Sequence, residues 1–453
     1  MPTTMLVNRR CRKARHLILL TLMVIFVWSG GIEAAPGEAW MSYTVPAEAG
    51  FDPARLVAAK AYAKSLGSAA YVLVHNGIIV DTYGDVSRRY MCHSVRKSFL
   101  SALYGIHAAD GGVNVDQTLE ELGIDDKNEL TPEERQATLR HLLKARSGVY
   151  HPAAYETTAM AKDRPTRGSH APDTFWYYNN WDFNTLAAVL EGEIGVGVFE
   201  DFNKRIATPI GMQDFRVRDG YYHLEHHSNF PAYPFRMSSR DMARFGQLYL
   251  DRGAWNGKPI LDAAWIDETR TSYSETGKPG RTGYGYMWWV LDEPLEGLGA
   301  YSALGYGGHT ITVLPAVDMV FVHRTDTWVK EKVPYIDVFK LTRMLVDAQT
   351  SAPVNAPQLE PLTLDPPLDP GSNPGMAFDL ESLNRYVGSY PDFDNQTSEI
   401  YLEDGRLIVN LPEWGRFEAS PLDEHRLLLE DWMQVVRLEE QAGGEVHLVR
   451  EVN

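Results

Sequence analysis

At 453 residues, 44% of them hydrophobic and 23% charged, the chain can bury a full core and has none of the bias of a disordered or fibrous sequence. Its formal net charge of −17 repels nucleic acid and anionic lipid headgroups, which excludes functions that depend on a broad basic surface. Cys11 and Cys92 are the only cysteines, too few for a disulfide framework, so packing must supply the stability.

The first element is a targeting segment. Arg9, Arg10, Arg12, Lys13 and Arg15 precede an apolar run from Leu17 to Trp28, followed by small residues at Ser29-Gly30-Gly31 and Ala34-Ala35. A basic stretch, a short apolar stretch and small residues make a secretory signal over 1–34. The run is shorter than the roughly 20 residues a bilayer-spanning helix needs. Export to a periplasmic or secreted location is therefore expected, with no stable membrane insertion once the signal is removed. Cleavage takes Cys11 away, leaves Cys92 unable to form an internal disulfide, and makes the remainder more acidic still.

Residues 35–350 are expected to form one α+β domain, with an antiparallel sheet built from both of its ends. Tyr71-Val72-Leu73-Val74 and Ile78-Ile79-Val80 flank His75-Asn76-Gly77, which predicts a hairpin. Helical periodicity runs over Val95–His107, Thr185–Glu191, Asp241–Leu250 and Val338–Val346, and Gly111-Gly112 ends the first of these. The apolar runs Tyr284–Val290 and Met319–Val322 read as buried strands. Seven prolines in 351–375 predict a stiff linker. Residues 376–453 read as a small, acidic all-β module with a hairpin turn at Asp404-Gly405. No candidate catalytic residue lies in that tail, so the chemistry is expected to be independent of it.

Two clusters could carry chemistry. Ser94 opens the first predicted helix and Lys97 lies one turn on, on the same face. A lysine desolvated by packing can lose its proton and activate a serine, and the helix start offers free N–H groups to a developing oxyanion. Alone, the pair also fits an N-cap serine beside a solvated lysine. The second cluster is Thr174-Phe175-Trp176-Tyr177-Tyr178-Asn179-Asn180-Trp181. A phenol can shuttle a proton and an amide two residues on can hold a carbonyl, in either register, Tyr177-x-Asn179 or Tyr178-x-Asn180. His223, His226 and His227 have no completing carboxylate or cysteine cluster, so no metal is expected.

Together, Ser94-x-x-Lys97 and Tyr178-x-Asn180 resemble the class C β-lactamase-like, penicillin-binding serine hydrolases, with motifs closest in style to 6-aminohexanoate-dimer hydrolases. The resemblance extends through Val115-Asp116-Gln117-Thr118-Leu119, Leu142-Leu143-Lys144-Ala145-Arg146-Ser147-Gly148 and Met237-Ser238-Ser239-Arg240-Asp241, over roughly residues 50–345. It implies the β-lactamase/transpeptidase-like fold, Ser94 as nucleophile, Lys97 and Tyr178 as proton carriers and Asn180 as a substrate contact. It implies no cofactor. The family's third motif, Lys/His-Thr-Gly, maps onto Ala303-Leu304-Gly305, with Gly305 at the substrate strand. The backbone N–H groups of Ser94 and Tyr306 would then form the oxyanion hole, with His309 as a packing or, less simply, a catalytic residue.

Ala303 offers no charge where the β-lactamases have a cation for the antibiotic's carboxylate, so a small neutral ester, amide or peptide is the expected substrate and β-lactam turnover should be weak. Arg96 or His309 are the candidates to replace that charge. A D-amino-acid peptidase or β-lactamase acting on cell-wall-like material, or a sensor that acylates without turnover, are the alternatives. The sequence carries no sign of oligomeric state and none of a nucleic-acid partner.

Overall fold

The hairpin at His75-Asn76-Gly77 forms as the turn residues require, with Asn76 and Gly77 both at positive φ (53° and 72°). It joins the strands Ala70–His75 and Ile78–Gly84, which lie inside a ten-stranded sheet. The computed structural model describes residues 39–329, 331–363 and 380–451. The expected signal segment 1–34 lies outside them. Across the sheet the order is Leu359–Pro361, Met41–Tyr43, Ile78–Gly84, Ala70–His75, Met319–Arg324, His309–Leu314, Tyr301–Gly305, Trp289–Val290, Gly283–Tyr284 and Ser274–Glu275. Every neighbouring pair is antiparallel except Met41–Tyr43 against Ile78–Gly84. The sheet therefore draws on both ends of the domain, as a β-lactamase/transpeptidase-like α+β fold does.

Helices cover its faces. Pro53–Ser65 packs beside Tyr335–Asp347, and Ser239–Leu250 lies on the central strands. Gly246 is needed there, because a Cβ would sit 2.5 Å from Val320 and 2.9 Å from Ile311. The helix Arg96–Ala109 is buried on every side from Arg96 to Ile106, so its apolar stripe understated its burial.

Two expectations need correction. Tyr284–Val290 is not one strand: Gly283–Tyr284 and Trp289–Val290 fold back on each other around Met287, which has φ 59°. The reversal is fixed because the Met287 carbonyl accepts from Ser98 Oγ (2.9 Å) and the Tyr286 carbonyl from Ser101 Oγ (2.8 Å) on the buried helix. The proline-rich stretch is also not all linker. Leu359–Pro361 pairs with Met41–Tyr43 as the outermost strand, a position where proline's missing N–H costs no ladder bond.

The C-terminal sheet is separate and fully antiparallel, with seven strands in sequence order from Gly388–Pro391 to Val446–Arg450. A bridge from Asp392 to Leu448 nearly closes it around Ile400, Val409, Phe417, Leu427, Trp432 and Val436. The sheet docks on the larger domain through buried charge. Arg89 pairs with Asp431 at 2.9 Å, and the wholly buried Arg236 stacks on Phe417 at 4.0 Å and donates to the Arg416 carbonyl. Glu418 receives Arg216 and Arg218.

Candidate active site

The chain enters the buried helix through a 3₁₀ turn, His93–Val95, with His93 at φ 48°. Left-handed backbone at a non-glycine residue stores strain and persists only where the surroundings enforce it. Here His93 is clamped by Thr327 Oγ1 (2.8 Å from Nε2) and by the rings of Tyr306 and His309 (5.5 and 5.4 Å). The clamp presents Ser94 at the helix start. Lys97 Nζ lies 2.8 Å from Ser94 Oγ.

Lys97 is 1% exposed, and its amine sits over the rings of Tyr178 and Phe183 at 4.7 and 4.9 Å. Burial pushes its pKa well below the usual lysine value, and the neighbouring Arg96 guanidinium pushes it the same way. A neutral amine can accept the Ser94 proton. Tyr178 is the third partner. Burial raises its pKa, while hydrogen bonding to Ser94 and the charges of Arg96 and Arg281 work against that rise.

The two tyrosine registers differ in their contacts: Tyr178 hydrogen-bonds Ser94 and lies against Lys97, and Tyr177 does neither. Asn179 is structural: its Oδ1 accepts from the Trp181 amide as the N-cap of the helix Asn180–Ile194, and its Nδ2 donates to the Val149 carbonyl and to Asp182. Tyr177 turns away and donates to the Met160 carbonyl at 2.7 Å. Tyr178→Phe is accordingly expected to cost about 10²–10⁴-fold in kcat, whereas Tyr177→Phe should change it by less than about tenfold; equal losses would contradict this assignment.

The other predicted residues fare differently. Asn180 is buried, with one Nδ2 hydrogen donated to the Tyr155 carbonyl (2.7 Å); its second N–H and its Oδ1, which has no protein partner among the described residues, are left for a substrate. Gly305 ends the strand Tyr301–Gly305 against the serine turn, where a Cβ would meet the Cys92 carbonyl at 2.4 Å. Its own carbonyl is taken by the Tyr335 hydroxyl at 2.7 Å, so its contribution is close approach rather than a free acceptor. Tyr306 follows it and is 45% exposed.

Neither candidate for the missing cation reaches open space. His309 is fully buried; its Nδ1 accepts from Arg324 Nε (2.9 Å), and burial with the Arg324 charge holds it neutral. Arg96 is 1% exposed and stacked over Tyr233 and Tyr155 at 4.9 and 5.3 Å, with Nε and Nη2 unbonded. Cys92 is free and buried, as a small apolar residue would be. Among the described residues no group of histidine, cysteine and carboxylate side chains is arranged to hold a metal, and the His223 imidazole instead lies near Glu225 and Glu413.

Sequence reasoning missed the wall behind the site. Tyr155, at φ 69°, hydrogen-bonds Tyr221, and Tyr221 packs against Gly415 in a turn of the C-terminal sheet. On the opposite side Trp328, next to the Thr327 that clamps His93, lies 6.3–6.4 Å from Phe417 and Trp432. Glycine at a strand-strand turn and isolated tryptophans were the signals, and neither is specific.

The profile of the β-lactamase family matches residues 54–334, most of the larger domain. The chain belongs to the β-lactamase family. Its members are serine hydrolases, which makes this chain a β-lactamase-family hydrolase by fold. Penicillin-binding protein 4* of Bacillus subtilis (strain 168) is 23% identical over 344 residues, which is 64% of this chain and 71% of that protein. A Bacillus anthracis protein assigned to the 6-aminohexanoate-dimer hydrolases is similar in structure, with a TM-score of 0.53 at 22% identity, covering 70% of this chain and 89% of the other. At that identity the likeness speaks for the fold alone.

Proposed function

We propose that this β-lactamase-family hydrolase is exported and cleaves a small ester or amide through an acyl-enzyme on Ser94. The observation that carries the reading is the buried contact of Ser94 with Lys97 at 2.8 Å, closed on the other side by Tyr178. In the first step Lys97 takes the Ser94 proton as Oγ attacks the carbonyl carbon. The amides of Ser94 and Tyr306 receive the resulting oxyanion. Tyr178 then gives a proton to the departing alcohol or amine, and the acyl group stays on Ser94. Water attacks the acyl-enzyme, its proton passing to the same pair, and the serine hydroxyl is restored.

A panel of p-nitrophenyl esters and p-nitroanilides, run on the wild type and on Ser94→Ala, tests this reading. Turnover of at least one substrate by the wild type, lost in the variant, supports it. Turnover that survives in Ser94→Ala, with no background from contaminating enzymes, refutes it.

A further inference from the structure

Arg281 lies in the loop between Ser274–Glu275 and Gly283–Tyr284, half-buried. Its guanidinium is 4.4 Å from the Tyr335 ring centre and 5.0 Å from that of Trp289. Trp289 in turn lies against Tyr178, ring centres 5.4 Å apart, and Tyr335 donates to the Gly305 carbonyl beside the serine turn. Arg281 is thus built into the ring of side chains around the nucleophile. Its charge reaches both phenols, opposing the rise that burial imposes on Tyr178 and Tyr335.

This guanidinium lacks an acidic partner. Nε is buried without a hydrogen bond, and among the described residues no carboxylate forms an ion pair with it. The contrast with its surroundings is informative, because 60 acidic residues are available to 43 basic ones, and Arg140 and Arg146 nearby each hold an aspartate. A desolvated donor left unpaired is costly, so an anion that completes it gains more than one binding a solvated lysine. Aromatic stacking also fixes the planar fork in advance, which lowers the ordering cost of binding. The other cations near the serine are placed differently. Arg96 and Lys97 are buried, and Lys332 is exposed, resting on the Tyr306 ring at 5.0 Å.

We propose that Arg281 anchors a carboxylate of the substrate, making this hydrolase selective for anionic esters or amides. The inference rests on the acyl-enzyme reading of the same site and names its substrate class. It reverses the preference for neutral substrates expected from Ala303, because the charge absent from the strand is supplied from the neighbouring loop.

The test compares kcat/KM for p-nitrophenyl hexanoate, its acyl-side acid analogue p-nitrophenyl hydrogen adipate, and 5-hexanoyloxy-2-nitrobenzoate, which carries the acid on the leaving group. Wild type should favour one of the two acids over the neutral ester. In Arg281→Gln that preference should fall by about 10- to 100-fold, and Arg281→Lys should restore part of it. The inference is overturned if wild type favours neither acid, or if the preference survives in Arg281→Gln. Labelling of Ser94 by a fluorophosphonate, read on the same samples, separates the two levels. Labelled Ser94 without acid preference removes only the carboxylate anchor, whereas an unlabelled wild-type Ser94 removes the acyl-enzyme reading beneath it.

Discussion

Lys97→Ala lowers ester hydrolysis by on the order of 10⁴-fold or more, the loss expected when one member of a unit that activates a nucleophile is removed. The reason is local. Ser94 has one other hydrogen-bonded side chain in the described contacts, Tyr178, whose phenol burial keeps protonated; His93 is turned to Thr327, and burial with the Arg96 and Arg324 charges holds its pKa down at about 3. The same geometry sets the pH dependence. Lys97 is active as the neutral amine, so activity is present above its depressed pKa and is lost as pH falls through it. Arg96→Met removes a repelling charge, raises the Lys97 pKa and moves the acid limb of kcat/KM to higher pH. Initial rates over a pH series measure both effects. An unmoved acid limb in a folded Arg96→Met protein, or near-wild-type rates in Lys97→Ala, would contradict the assignment.

The second large effect is on stability. A chain ended after residue 363, without the C-terminal sheet, is expected to lose soluble folded protein, although no residue of the sheet touches Ser94. Truncation takes Asp431 from Arg89 and Phe417 and the Arg416 carbonyl from Arg236, leaving the two buried guanidiniums to share the one carboxylate of Asp219, 3.6 Å from each. Removing a partner from a buried ion pair costs up to about 3–5 kcal/mol, and a domain's whole stability is only about 5–15 kcal/mol. Phe417→Ala is the milder version. It creates a cavity in the small core under Arg236 and Trp328, costs about 3–5 kcal/mol, and should lower the Tm clearly while Ser94 labelling persists below the transition. A soluble truncated protein with an unchanged Tm would show the docking contacts to be of little weight. The expectation that the chemistry is independent of the tail concerns the motif residues and stands apart from this loss of folded protein.

How much was legible followed from how local each signal is. The Ser94–Lys97 pair, the hairpin at Asn76-Gly77 and the turn at Asp404-Gly405 depend on spacing within a few residues, and each forms where its spacing puts it. Asn179 and Asn180 were harder to read, because composition cannot say which amide caps a helix and which faces inward. The reversal at Met287 was hidden because its cause is remote: Ser98 and Ser101 fix it from a helix far away in sequence. Arg281 was invisible for the same reason. Nothing in Lys278-Pro279-Gly280-Arg281 marks a side chain that ends between Trp289 and Tyr335.

The central claim is that Ser94 carries the acyl group, and the most direct measurement is the intact mass of the protein quenched in acid during turnover of its best p-nitrophenyl ester. The account predicts a species heavier by one acyl group, its modification mapping by peptide digestion to the segment containing Ser94, and absent from Ser94→Ala. An acyl adduct mapping to another residue, or one undiminished in Ser94→Ala, would contradict it.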